Sequence, residues 1–145
     1  MKTVFADTLY WVAMARPNDP WKEAAERAKA QLGDVRLLTT DEVLAEFLTA
    51  LGQGGEGVRR QGVKMVRAIL DNPNVRVLPQ SRDSFLRGVH LYARRPDKEY
   101  GLTDCISMNA MRSESVSEVL TNDYHFAQEG FTLLITPRPR ADTTG

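Results

Sequence analysis

Histidine and cysteine are scarce in this 145-residue chain. The two histidines, His90 and His125, match no metal-ligand spacing, so no imidazole-based metal motif can be read from them. The one cysteine, Cys105, excludes an intramolecular disulfide, and its apolar setting reads as buried and inert. Net charge is missing too. Nineteen acids balance nineteen bases, so charge alone does not call for a nucleic-acid partner. Any nucleic-acid surface would need its basic residues segregated from its acids. No apolar run reaches the roughly 18 residues of a membrane span. The N-terminus lacks the apolar core and cleavage site of a signal peptide. Together these absences point to a cytoplasmic protein without membrane association. There is no internal repeat and no domain boundary. With 42% hydrophobic and 26% charged residues, the composition suits one globular domain with a single core.

What is present is an alternation of strand-like and helix-like segments. Residues 2–7 read as a buried strand, and residues 8–15, apolar nearly all round, as a short buried helix. Asn18-Asp19-Pro20 offers a cap and a first-turn proline for a helix over 21–32, which Gly33 ends. Residues 35–39 form a second strand. Thr40 or Asp41 caps a helix whose Val43, Leu44, Phe47, Leu48 and Leu51 follow helical spacing. A glycine-rich stretch over 52–57 interrupts it. A helix over 58–70, a strand over 74–78 and a helix from Ser81 to about Arg94 follow. After the polar loop 95–98 come a core helix over 103–111, a strand over 117–121, a helical turn near 124–128 and a strand over 131–135. This order predicts a three-layer α/β/α domain over 1–136 with a mostly parallel sheet of about five strands. Residues 137–145 read as a flexible tail.

Four acids stand at or near the ends of apolar segments: Asp7, Glu46, Asp104 and Asp123. Each has an ordinary alternative. Asp7 could cap the helix it precedes, Asp104 could favour a helix dipole, and Asn122-Asp123 is a common turn pair. Glu46 lies inside a helix at the margin of the apolar stripe, where a carboxylate is costly unless it is paired or ligates an ion, although a lone glutamate at such a margin is usually just solvated. In a parallel sheet the ends at Asp7 and Asp123 share one edge, the edge where open α/β folds place their sites. Two charges ~4 Å apart repel by about 4 kcal/mol at an effective dielectric of ~20. A divalent cation removes that penalty, and oxygen ligands favour Mg²⁺ or Mn²⁺ over Zn²⁺.

These segments resemble the motifs of the PIN domain family, and most closely those of its VapC-type toxins. Val4-Phe5-Ala6-Asp7-Thr8 is similar to the first motif and Val43-Leu44-Ala45-Glu46 to the second. Leu102-Thr103-Asp104-Cys105-Ile106 is similar to the third, and Leu120-Thr121-Asn122-Asp123-Tyr124-His125-Phe126 to the fourth. The order, spacing and length agree over residues 2 to about 135. The resemblance implies a metal-dependent endoribonuclease in which Asp7, Glu46, Asp104 and Asp123 hold one or two Mg²⁺ or Mn²⁺ ions that activate water and neutralise phosphate charge. Asp7 and Asp104 would be the most direct ligands, with Glu46 and Asp123 acting through water. Thr8, Thr103 and Asn122 are adjacent hydrogen-bonding candidates for the substrate or for orienting the ligands. The resemblance also implies an RNA substrate, a cognate antitoxin covering the acidic site, and a homodimer. A PIN nuclease of RNA maturation without an antitoxin, or a non-catalytic RNA-binding module, would share the same motifs. A hydrolase using Asp7 as nucleophile would want a second aspartate at position 9, where the chain has Leu9.

Basic residues offer two surfaces. Arg94, Arg95 and Lys98, just before the third motif, are placed for RNA backbone contact. Arg59, Arg60 and Arg67 form a helix face that could track an RNA backbone but reads better as a solvated one. Trp11 reads as core. Trp21 fits the core or a partner interface. His125 stands within the fourth motif, near Asp123, where a structural role is expected ahead of one at the site's edge.

Overall fold

The computed structural model describes residues 1–137, so the expected tail beyond Pro137 lies outside the described residues. Five strands form one sheet: β1 (Lys2–Ala6), β2 (Val35–Thr40), β3 (Val75–Leu78), β4 (Glu118–Leu120) and β5 (Thr132–Leu133). Their order is β3-β2-β1-β4-β5, and every pairing is parallel. The expected sheet is thus present and wholly parallel. Such strands are covered on both faces, which is why they read as apolar runs without alternation. Val4, Phe5 and Ala6 of β1 and Val119 and Leu120 of β4 are fully buried.

Two helices connect each of the first three strand pairs. They are α1 (Thr8–Ala15) with α2 (Lys22–Leu32), α3 (Asp41–Leu51) with α4 (Glu56–Asp71), and α5 (Arg82–Arg94) with α6 (Leu102–Ser113). The short α7 (Tyr124–Gln128) joins β4 to β5. The caps follow local chemistry. Thr40, rather than Asp41, accepts the Val43 N–H at α3, and Ser81 and Ser84 bond reciprocally at the start of α5. Gly33 ends α2 with φ of 65°, a backbone that glycine adopts without strain.

Boundaries shift where tertiary pairing decides them. The helix expected from Val58 begins at Glu56, because the break spans only a 3₁₀ turn at Gly52–Gly54 and Gly55 at φ 92°. The helix expected from Trp21 begins at Lys22. Pro20 lies in the preceding turn, where the Asp19 carboxylate accepts the Trp21 N–H. β5 is two residues rather than five, although the Leu134 and Ile135 N–H groups beyond it still bond to the Val119 and Thr121 carbonyls.

Apolar side chains of α1, α3 and α6 fill the core against the sheet, including Tyr10, Phe47 and Met108. Cys105 is buried among them. Trp11 is core as expected, and its indole N–H donates to Thr39 Oγ1, which donates in turn to the Ala6 carbonyl. Trp21 packs half-buried against the same core. Among the described residues, no helix is long and apolar enough to cross a membrane.

Candidate metal centre

The chain runs outward from β1 through β2 to β3, then returns to place β4 on the other side of β1. The switch point therefore lies between β1 and β4, and the crevice beyond their carboxyl ends is where such sheets bind ligands. Asp7 directly follows β1, and Asp123 lies three residues past β4. Glu46 arrives on α3 and Asp104 in the first turn of α6.

Asp7 is buried, with 6% of its surface exposed. It occupies the N-cap position of α1 by backbone, but its carboxylate makes no capping bond there. It accepts instead from Thr121 Oγ1 at 2.9 Å. Burial is the main force that pushes its pKa up to about 7; the charges of Asp104 and Glu46 add to the rise, while the Thr8 N–H and the Thr121 hydroxyl oppose it. Thr121 is itself fully buried, and its hydroxyl also receives the Asp123 N–H at 3.2 Å. One side chain thereby ties the first acidic position to the fourth.

Glu46 is exposed and receives a 2.6 Å hydrogen bond from Thr8 Oγ1, which links α1 to α3 at the site. Asp104 uses one oxygen to accept the Gly101 N–H at 3.1 Å. That is half of a capping box, since glycine has no side chain to reciprocate. The capping role and a site role therefore coexist in Asp104. Burial first, and then the Asp123 charge, push its pKa up to about 6. Asp123 caps α7 by accepting the His125 N–H at 3.0 Å.

Asp104 thus feels the charges of Glu46 and Asp123, and Asp7 those of Asp104 and Glu46, but the four acids are not equivalent. The tightest donor group is Asp104, Asp123 and His125, which offer ligand atoms within 4.8 Å of one another. Asp7 and Glu46 flank this group, each held by a threonine hydroxyl. His125 Nδ1 is 3.2 Å from Asp123 Oδ1 and 3.9 Å from Asp104 Oδ2. That nitrogen is buried and has no hydrogen-bond partner among the described residues. Two carboxylates and an orphaned ring nitrogen suit a divalent cation. The sequence favours a structural role for His125 over one at the site's edge and singles out no role for Thr121. The Asp-x-His spacing of the fourth motif was the available signal for His125; Thr121 gave none beyond adjacency.

The remaining candidates separate. Asn122 Nδ2 donates to the Ile135 carbonyl at 2.6 Å, which anchors the end of β5. Thr103 is half-buried beside Asp104 and makes no side-chain hydrogen bond among the described residues. Arg94 is exposed, whereas Arg95 is committed to the Glu129 carboxylate at 2.6 Å, which Arg112 also meets at 2.8 Å. Lys98 lies 3.8 Å from Asp97. Arg87, His90, Arg94, Arg95 and Arg112 line an open groove of about 870 Å³ between α5 and α6. Arg59, Arg60 and Arg67 sit on exposed turns of α4, with Arg60 paired to Glu56.

No curated protein matches the sequence. Among solved structures, the chain is similar to the Mycobacterium tuberculosis VapC20, a toxin that cleaves the sarcin–ricin loop. The TM-score is 0.79 at 25% identity, over 89% of this chain and 96% of that one. The PIN domain profile matches residues 4–131, which contain all four acids. With that match and an all-parallel sheet that gathers the acids at its switch point, the chain belongs to the PIN domain family.

Proposed function

We propose that this protein is a metal-dependent endoribonuclease and the toxin of a toxin–antitoxin pair. The observation that carries the reading is the placement of Asp7, Glu46, Asp104 and Asp123 around the β1–β4 edge in a chain similar to a toxin that cleaves the sarcin–ricin loop. Asp7, Glu46, Asp104 and Asp123 would together hold one or two Mg²⁺ or Mn²⁺ ions, with Asp104 and Asp123 offering their oxygens closest together. Bound there, a divalent ion lowers the pKa of water and neutralises charge developing on phosphate. Thr121 orients the Asp7 carboxylate through its 2.9 Å bond, and Thr8 orients Glu46 through its 2.6 Å bond. Fixing carboxylates in this way removes the need to reorganise them during reaction.

RNA phosphates meet the basic side chains that follow α5. Arg94 and Lys98 are the direct contacts, while Arg95 braces the wall through Glu129. Thr103 and Asn122 border the site. A cognate antitoxin covers the acidic edge, the protein pairs as a homodimer, and it acts in the cytoplasm.

The test is cleavage of total RNA by purified protein with Mg²⁺ or Mn²⁺, with 5′ ends mapped. Wild-type protein cuts at discrete positions, and Asp7→Asn and Asp104→Asn, folded by circular dichroism, do not. Wild-type protein that binds RNA yet cuts none of it with any divalent ion refutes the proposal and leaves a binding module.

A further inference from the structure

His125 stands outside the acids expected to hold the ion, yet its ring enters their midst. Its backbone N–H is bound to Asp123 Oδ1 at 3.0 Å, which fixes the start of α7. Its ring meets the buried Tyr100 edge-on, with centroids 5.4 Å apart and planes at 61°. These contacts set where Nδ1 points. That atom is sealed from solvent and lies 3.2 Å from Asp123 Oδ1, yet the two do not have the geometry of a hydrogen bond.

A buried donor or acceptor without a partner costs about 1–3 kcal/mol. If Nδ1 carries its lone pair, that lone pair confronts carboxylate oxygens of Asp104 and Asp123, an arrangement a cation between them would relieve. We propose that His125 Nδ1 is a direct ligand of the divalent ion, alongside Asp104 and Asp123, and that this nitrogen tunes the site toward Mn²⁺ and later transition ions over Mg²⁺. The physical reason is ligand preference. Mg²⁺ is hard and favours oxygen and retained water, whereas imidazole suits transition ions. The inference rests on the metal-dependent site proposed above, but not on RNA being its substrate.

The chain's second histidine supplies an internal control. His90 is exposed on α5, on the wall of the basic groove, and is not part of the donor group. The experiment is pulsed electron paramagnetic resonance of the full chain loaded with one equivalent of Mn²⁺, paired with calorimetric titration of Mn²⁺ and Mg²⁺. A bound imidazole produces nitrogen modulation of the Mn²⁺ echo. That modulation is expected in wild-type protein, persists in His90→Gln and disappears in His125→Gln. The Mn²⁺ Kd rises in His125→Gln by at least the roughly 10- to 100-fold that losing an outer-shell partner costs, while the Mg²⁺ Kd changes far less. Labelling wild-type histidines with ¹⁵N alters the modulation frequencies without any substitution, so the assignment survives a poorly folding variant.

Bound Mn²⁺ without nitrogen modulation, or modulation lost in His90→Gln, overturns the ligand assignment. Equal loss of Mn²⁺ and Mg²⁺ affinity in His125→Gln overturns the selectivity. RNA cleavage that persists without any nitrogen signal sinks this inference and leaves the nuclease standing. A nitrogen signal in protein that never cuts RNA does the reverse. Failure to bind Mn²⁺ at all overturns both.

Discussion

Neutralising Asp7 should stabilise the metal-free protein, with a sign that depends on pH. An ordinary aspartate ionises at 3.8, and burial with like-charged neighbours moves Asp7 to about 7. Below 3.8 both folded and unfolded chains keep the proton, so the carboxyl contributes nothing to the difference. Between 3.8 and about 7 the unfolded chain ionises while the fold still holds its proton, and stability falls with each pH step. Above 7 the loss is complete. At ~1.36 kcal/mol per pH unit over that interval, it amounts to roughly 4 kcal/mol. Asp7→Asn removes the charge and keeps an oxygen for Thr121, at a cost of about 1 kcal/mol for imperfect hydrogen bonding. At pH 8 in chelator the variant should therefore be more stable by about 3 kcal/mol, or on the order of 10 °C in melting temperature for a domain of this size. Near pH 4 the advantage should vanish. Asp104, raised to about 6, adds to the wild-type decline over the same range. Mn²⁺ at 100 times its wild-type Kd should close most of that gap, since it stabilises the native state that binds it by about 2.7 kcal/mol and the variant, one carboxylate charge poorer at the site, binds it more weakly. Urea denaturation from pH 4 to 8.5, with and without Mn²⁺, measures all of this. A gap between the proteins that is the same at pH 5 and pH 8, or a variant less stable at pH 8, would refute the reasoning.

Other perturbations probe the scaffold around the acids. A Cβ on Gly88 of α5 would sit 2.5 Å from Ile106 Cγ1 and 3.3 Å from Leu102 Cδ1 on α6. Gly88→Ala should cost about 1–3 kcal/mol by overpacking and slow cleavage by displacing the helix that carries Asp104; wild-type stability in urea would contradict this. Thr8→Val deletes the donor to Glu46 while keeping the side-chain shape, so stability should change by no more than about 1 kcal/mol as RNA cleavage falls. Unchanged cleavage would mean that Glu46 works without this anchor. Glu129→Ala strips the shared partner of Arg95 and Arg112, and a thermal melt should show a clear drop. An unchanged melt would show that the pairing contributes little to the fold.

Much of the site was legible because its signals are local. Thr40 and Ser81 cap helices through residues three positions on, and buried parallel strands announce themselves as apolar runs. Acids placed at the ends of such runs suggested one edge even before the strand order was known. The capping alternatives met different fates for equally local reasons. Asp104 does cap, through Gly101, whereas Asp7 does not, because its carboxylate turns to Thr121.

That turn could not be read along the chain. Asp7 and Thr121 are 114 residues apart and meet only because β4 pairs beside β1. The same adjacency fixes α7 and swings His125 against Tyr100, which aims its nitrogen at the acids. Arg95 looked free for phosphate in the sequence, yet it pairs with Glu129, 34 positions away. By itself the sequence determined the elements, their caps and the acidic residues, since each depends on neighbours within a few positions. Which side chains orient those acids was decided by the tertiary structure, since it depends on strand order, and strand order is set by burial of the whole sheet at once.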